Sequence, residues 1–222
     1  MDSYGDPVPV AEVPHLRSRL ADPAVLVAPQ LLGWELRHVT EAGAVTVRLT
    51  EVEAYGGTGD PASHAFRGPT ARNASMFGAA AHLYVYRSHG LHWCANLVAG
   101  PEGEASAVLL RAGRVVEGAD LARLRRGGSV PDDRLARGPG CLCQALGITG
   151  EHDGLDLLAR GALTLRAVER FEDEASAGAH QVRRGPRVGV SRAADRPWRF
   201  WVAGDDTVSS YRRSPRARPQ DE

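Results

Sequence analysis

Two glutamates with one residue between them, Glu51 and Glu53 in the run EVEAY, are the first side chains along this sequence equipped for chemistry. A carboxylate can take a proton from water or steady a positive charge that develops nearby. One that ends a strand is ordinarily solvated or ion-paired, so Glu53 by itself defines no site. Arg111 adds weight. It closes the apolar run AVLLR on a strand face shared with Ala107 and Leu109. A guanidinium in such a place needs a buried anion, because an unpaired buried charge costs several kcal/mol. Glu53 is one candidate for that anion. Tyr55, Tyr84, Tyr86 and Trp93 supply flat aromatic surface, which serves as core or as a stacking platform. His64 and His89 fall in loop and turn segments, where a histidine commonly does no more than face water.

A scaffold must hold these residues, and the periodicity of the sequence outlines one. Residues 1–14 are polar and Pro-rich and are expected as a flexible arm, followed by one domain over 15–208. Apolar residues at near-helical spacing from His15 to Leu32 predict two helices. Asp22-Pro23 divides them, because proline suits a first helical turn and not an interior. The period then changes to two. WELRHV, the turn Glu41-Ala42-Gly43 and AVTVRLTEVEAY read as an antiparallel hairpin. Along its second strand Val45, Val47 and Leu49 share a face, and counting by twos carries Glu51 and Glu53 onto that face unless a bulge intervenes.

A long loop rich in Gly, Pro, Ser and Arg follows over 56–73. LYVYR and LHWCANLV form a second hairpin turning at Ser88-His89-Gly90, and SAVLLRA is a further strand. Helices are predicted over Val115–Arg126 and Cys141–Leu146, and closing strands over Leu163–Ala167 and Trp198–Val202. The end, 209–222, is Pro- and Arg-rich and is expected as a disordered basic tail. The fold class is α+β: a single domain with a central curved antiparallel sheet, short flanking helices and a protruding β-hairpin.

Composition narrows the chemistry. Among 222 residues, 27 basic and 27 acidic side chains cancel, so no global charge points to a polyanion. All 27 bases are arginine. Arginine offers phosphates a planar, permanently charged fork, whereas a lysine amine can act as a nucleophile; a GC-rich genome would produce the same bias. Cys94, Cys141 and Cys143 are odd in number and lack the spacing of zinc sites. They read as reduced core cysteines of a cytoplasmic protein. HExxH, dinucleotide, P-loop and GxSxG patterns are absent. Neither a metal nor an organic cofactor is therefore expected. The N-terminus lacks the pattern of a secretory signal, and no apolar run reaches membrane-spanning length. A carboxylate, an arginine, aromatic rings and Arg-rich loops remain, a set compatible with hydrolysis at a nucleobase by water.

In their order and spacing, EVEAY, ASHAFRG, TARNASMF, LYVY, HGLHWCAN, AVLLRA, GPGCLCQALGI, PRVGVSRA and PWRFWVAG resemble the alkyladenine (3-methyladenine) DNA glycosylase family. The resemblance runs from about Leu31 to Val208. It implies a monofunctional enzyme of base-excision repair that flips alkylated or deaminated purines from duplex DNA. The N-glycosidic bond is then hydrolysed and an abasic site is left. It implies Glu53 as the carboxylate that activates the water, Arg111 as the arginine that helps hold it, and Val188 as the residue whose backbone carbonyl completes its cradle. Tyr55 and Tyr86 correspond to the rings that sandwich the flipped base, with His64 offering a backbone N–H to the base edge. Asn96 corresponds to the side chain that clashes with the guanine 2-amino group. His89 stands at the hairpin tip, where relatives often carry a tyrosine that wedges into the duplex. It is smaller and titratable, and Arg87 and Ser88 before it also depart from the more apolar residues seen there.

Glycosylases that nick DNA commonly form a Schiff base through an amine, and without lysine only the N-terminal amine remains for that. No lyase step is expected. The stretches Arg123-Leu124-Arg125-Arg126 and Arg183-Arg184 and the tail either track phosphates or are simply solvated. The expected partner is double-stranded DNA carrying damaged purines, bound by a monomer at the nucleoid and away from membranes. A non-catalytic binder of damaged or bent DNA would use the same aromatic hairpin without requiring a carboxylate at Glu53. A hydrolase of small nucleosides is a more distant alternative.

Overall fold

The computed structural model describes residues 12–168 and 181–218. Most of the expected arm (1–11) and the end of the expected tail (219–222) lie outside the described residues. Val13–Leu20 form α1 and Ala24–Gln30 form α2, separated as expected at Pro23, whose extended ψ of 141° cannot continue a helix. Leu16, Leu20, Val27 and Leu31 recur at helical spacing and are buried.

Among the described residues, nine strands build one sheet: β1 Glu35–Thr40, β2 Gly43–Tyr55, β3 Leu83–Ser88, β4 His92–Val98, β5 Ala107–Glu117, β6 Ala136–Arg137, β7 Leu163–Arg166, β8 Val182–Gly185 and β9 Arg199–Val202. Their order is β3-β4-β5-β2-β1-β7, with β6 against β5, β9 against β2 and β8 against β9. Every pairing is antiparallel. The expected α+β class, with its central antiparallel sheet, short helices and β-hairpin, is present. β6 and β8 carried no strand signal in the sequence, since two residues and a run of exposed arginines show no alternation.

β2 is the spine of the sheet, and a break in its register decides where the carboxylates point. Leu49 pairs with Gly113 and Glu51 with Ala112, so Thr50 is skipped; Val52 then pairs with Leu110, so Arg111 is skipped. Each skipped residue is a bulge, which turns the strand by one position. Val45, Val47 and Leu49 lie in the main core, but beyond Thr50 the core face passes to Val52 and Ala54. The uninterrupted count by twos is thus corrected: Glu51, Glu53 and Tyr55 leave the apolar face and point to the opposite one. The same break marks a change of neighbour. Gly43–Arg48 pair with β1, whereas Glu51–Glu53 pair with β9.

The helix expected over Val115–Arg126 is also corrected. β5 runs on to Glu117 because β2 is long enough to pair Val47 with Val115 and Thr46 with Glu117. Gly118, at φ 75°, then turns the chain into α3, Ala119–Arg125. A Cβ at Gly118 would collide with the Ala44 carbonyl, so only glycine fits this junction. α4 spans Pro139–Leu146. Arg123 pairs with Asp120 and Asp132, Arg125 donates to the Ala145 and Leu146 carbonyls, and Arg126 donates to the Leu135 carbonyl and Gln144. This basic stretch therefore ties α3 to α4 and to the following loop.

The helices and one sheet face enclose the main core, whereas the other face carries a small cluster of Ala65, Met76, Tyr84, Val98 and Ala107. Beside that cluster, the sheet, the 56–73 loop and the 188–191 loop leave a cavity. No helix of the described residues is long and apolar enough to cross a membrane.

Candidate active site

Four strands bring the site together on the face opposite the main core: β2 with Glu51, Glu53 and Tyr55, β5 with Arg111, β3 with Tyr86 and β4 with Asn96. The cavity has a volume of about 400 Å³. Tyr55, Tyr86, Asn96 and Arg111 line it from the sheet, His64 from the long loop, His89 from the hairpin and Val188 from the loop after β8. Of the residues that the resemblance assigned to a site, all but Glu53 line this cavity, and Glu53 is buried beside Tyr55 and Arg111; Trp93 packs against the main core instead.

Glu53 is fully buried. Its Oε1 accepts the Val188 N–H at 2.7 Å, and its Oε2 accepts the Tyr55 hydroxyl at 2.9 Å and lies 3.4 Å from Arg111 Nη1. The main chain of Val188 therefore reaches the carboxylate through its N–H. A carboxylate offers about four lone-pair sites, so these two hydrogen bonds leave it able to accept more. Burial, and then the charge of Glu53 beside it, push the Tyr55 phenol well above its ordinary range, so it remains a donor.

Arg111 is held by a second carboxylate. Its Nε donates to Glu51 Oε1 at 2.8 Å, and Arg199 Nε donates to the same oxygen at 2.6 Å. Ser209 completes the cluster, its N–H donating to Glu51 Oε2 at 2.7 Å and its hydroxyl to Oε1 at 2.9 Å. Burial alone would raise the Glu51 carboxyl, but Arg111, Arg199 and the Ser209 N–H outweigh it and hold it below its ordinary range. The guanidinium of Arg111 thus bridges one carboxylate that fixes it and another that faces it.

The aromatic wall is organised by the β3 alternation. Tyr84 and Tyr86 share a face and stack with centroids 5.5 Å apart, and the His64 ring meets Tyr86 edge-on at 4.4 Å. His64 Nδ1 lies 3.2 Å from the Tyr84 hydroxyl. Burial, then the charge of Arg72, lower the His64 pKa, so the ring is neutral near pH ~7. The His64 N–H meets no acceptor among the described residues, while its carbonyl accepts from Asn73 Nδ2 at 3.0 Å. Asn96 is buried and its Nδ2 donates to the Tyr84 carbonyl at 3.0 Å.

At the hairpin tip the Leu91 N–H donates to the Ser88 carbonyl, closing a turn in which His89 (φ 50°) and Gly90 (φ 71°) are both left-handed. Such a turn matches the twist of paired strands. It presents His89 and the exposed Leu91 outermost.

Arg187 and Asp60 escaped sequence reasoning, being 127 residues apart with no local pattern. They form a fully buried pair, with Arg187 Nη2 donating to Asp60 Oδ1 at 2.8 Å and Nη1 to the Ala54 carbonyl at 3.0 Å. The guanidinium lies between the rings of Tyr55, at 4.7 Å, and Trp198, at 5.2 Å. It supports Tyr55 while fixing the backbone next to Val188. The Tyr55–Glu53 bond was within reach of sequence, since a spacing of two on a strand puts both on one face.

A model of the methylpurine-DNA glycosylase family matches residues 18–206. The chain belongs to this family. Among its relatives is a protein of Streptomyces avermitilis, 50% identical over 209 residues that cover 92% of this chain and 95% of the relative. One from Cutibacterium acnes is 50% identical over 87% of this chain and 98% of its own. Another from Mycobacterium leprae is 48% identical over 89% of each. All three are provisionally named 3-methyladenine DNA glycosylases. The methylpurine-DNA glycosylase match contains Glu51, Glu53, Tyr55, Arg111 and Val188, and it ends before Ser209.

Proposed function

We propose that the protein excises methylated purines from duplex DNA by hydrolysis, as the first step of base-excision repair. The observation that carries this reading is Glu53, a buried carboxylate held by Tyr55 and Val188 behind the wall of an aromatic-lined cavity. The cavity falls within the ~300–1,000 Å³ usual for small-molecule sites. A base can enter it only after leaving the stack, which costs a few kcal/mol and is easiest for a damaged base. Tyr55 and Tyr86 offer their faces to that base, and an electron-poor methylated ring gains a cation–π contribution. His64 offers its N–H to the base edge, and Asn96 closes the space where a guanine 2-amino group would sit. His89 and Leu91 at the hairpin tip face the gap left in the duplex.

In the hydrolytic step a water hydrogen-bonds to Glu53, steadied by Arg111 and the main chain of Val188. As the bond from sugar C1′ to the base nitrogen breaks, its electron pair leaves with the base. The water oxygen bonds to C1′ and its proton passes to Glu53. The carboxylate also stabilises the oxocarbenium-like charge on the sugar. The absence of lysine fits direct hydrolysis without a Schiff base.

The reading is tested by incubating the protein with duplexes that each carry 3-methyladenine, 7-methylguanine, hypoxanthine or ethenoadenine. Release of free base with an intact abasic strand is expected. No release from any duplex would overturn it, and a nicked strand trapped on the protein by borohydride would overturn the hydrolytic step.

A further inference from the structure

Residues 209–218 form a strap along the cavity wall. Ser209 anchors its start on Glu51. Further on, the Gly189 N–H donates to the Arg212 carbonyl and the Arg218 N–H to the Ser191 carbonyl, each at 3.0 Å. Gly189 and Ser191 both line the cavity, so the strap runs behind the wall that also carries Val188. Arg213 pairs with Asp195 at 2.7 Å and pins the middle of the strap to the same loop. The segment, SSYRRSPRAR, contains four arginines and no acid. Arg212, Arg216 and Arg218 are exposed, and their guanidiniums have no ion-pair partner among the described residues. Arg87, on β3 of the hairpin, and Arg67, in the long loop, are exposed as well.

We propose that this strap is a phosphate-binding edge of the DNA interface, with Arg212, Arg216 and Arg218 holding backbone phosphates of the duplex whose extruded base occupies the cavity. The inference rests on the glycosylase reading and goes beyond the family match, which ends at residue 206. The chain as a whole is neutral, yet three exposed cations with no ion-pair partner among the described residues lie on a strap that backbone hydrogen bonds at Arg212 and Arg218 tie to the wall of the cavity where a polyanion must be seated. Arginine forks suit phosphate oxygens, and each neutralised phosphate releases condensed counterions. Because the strap is tied to the 188–191 loop, a phosphate held there is placed relative to Glu53 as well.

The test is the salt dependence of binding to an undamaged duplex, followed by fluorescence anisotropy on the full chain. In the triple variant Arg212→Gln, Arg216→Gln, Arg218→Gln, the slope of log K against log salt should fall by about 2 to 3, at ~0.9 per phosphate lost. The matching triple lysine variant should keep the wild-type slope. An unchanged slope in the glutamine variant would overturn the proposal, as would a lysine variant that falls as far as the glutamine one. Failure of the underlying reading looks different. In that case the wild type releases no base from lesion duplexes, whatever its salt slope.

Discussion

Replacing Glu51 with glutamine keeps the shape of a fully buried side chain and removes its charge. Arg111 and Arg199 are left with side chains only 8% and 5% exposed and without their shared anion. An amide also cannot accept both the two Nε donors and the Ser209 N–H, so at least one buried donor is unsatisfied. Breaking one side of a buried ion pair costs about 3–5 kcal/mol. At roughly 2–4 °C per kcal/mol for a chain of this size, the melting temperature should fall by about 6–20 °C. Base release should fall too. Arg111, freed from Glu51, has Glu53 as its remaining carboxylate at 3.4 Å and draws it away from water.

The acid limb of stability gives an independent check. The folded Glu51 carboxyl is held below its ordinary value, so its contribution is complete above about pH 4.3 and fades as pH drops through the lowered folded value. The gap in melting temperature between wild type and variant should therefore narrow on acidification. Scanning calorimetry across pH decides the matter. A variant melting within about 2 °C of wild type near neutral pH would refute the reasoning, as would a gap that stays constant into acid.

Tyr55→Phe removes the hydroxyl that donates to Glu53 but keeps the ring. A hydrogen bond to a charged group is worth about 1.5–3 kcal/mol, so single-turnover base release should slow by about 10- to 100-fold while lesion affinity holds. Asn96→Ser should raise release of guanine from G·T duplexes, within the few kcal/mol that a pocket clash supplies; no increase would make Asn96 a core amide only. His89→Ala should weaken binding to lesion duplex by roughly one to two orders of magnitude, from ~1–3 kcal/mol of lost stacking. Release from single-stranded lesions should scarcely change, since there is no gap to fill; equal losses on both substrates would remove His89 from the duplex.

Much of this site was legible in sequence because strands declare their faces locally. Tyr84 and Tyr86, or Ala107, Leu109 and Arg111, are assigned by counting in twos. The same rule failed at Thr50, since a bulge leaves no compositional mark and reverses every face beyond it. It reversed Glu51 and Glu53 from the core face to the cavity face, the side on which chemistry is possible. Arg111 was recognised as needing a buried anion, yet its hydrogen-bonded anion is Glu51, while Glu53 is the nearby second charge. That choice depends on the cross-strand register. Val115 to Glu117 read as helix because the pairing of Val115 and Glu117 with β2 outweighs local pattern only once β2 is known to be long. Arg187–Asp60 and Ser209–Glu51 were invisible for a plainer reason. Each joins segments more than a hundred residues apart, and nothing local in either segment names the other. Residues 209–218, expected as a disordered tail, show hydrogen bonds to Glu51, Gly189 and Ser191.

The central claim is that Glu53 activates the attacking water, and Glu53→Gln tests it most directly. The amide preserves shape and one acceptor oxygen for the Val188 N–H or the Tyr55 hydroxyl, but it neither takes a proton nor stabilises a cationic sugar. Single-turnover release of 3-methyladenine from duplex DNA should be lost almost completely, with lesion-duplex affinity close to wild type. Turnover retained in the glutamine variant, at a rate near that of the wild type, would contradict the account.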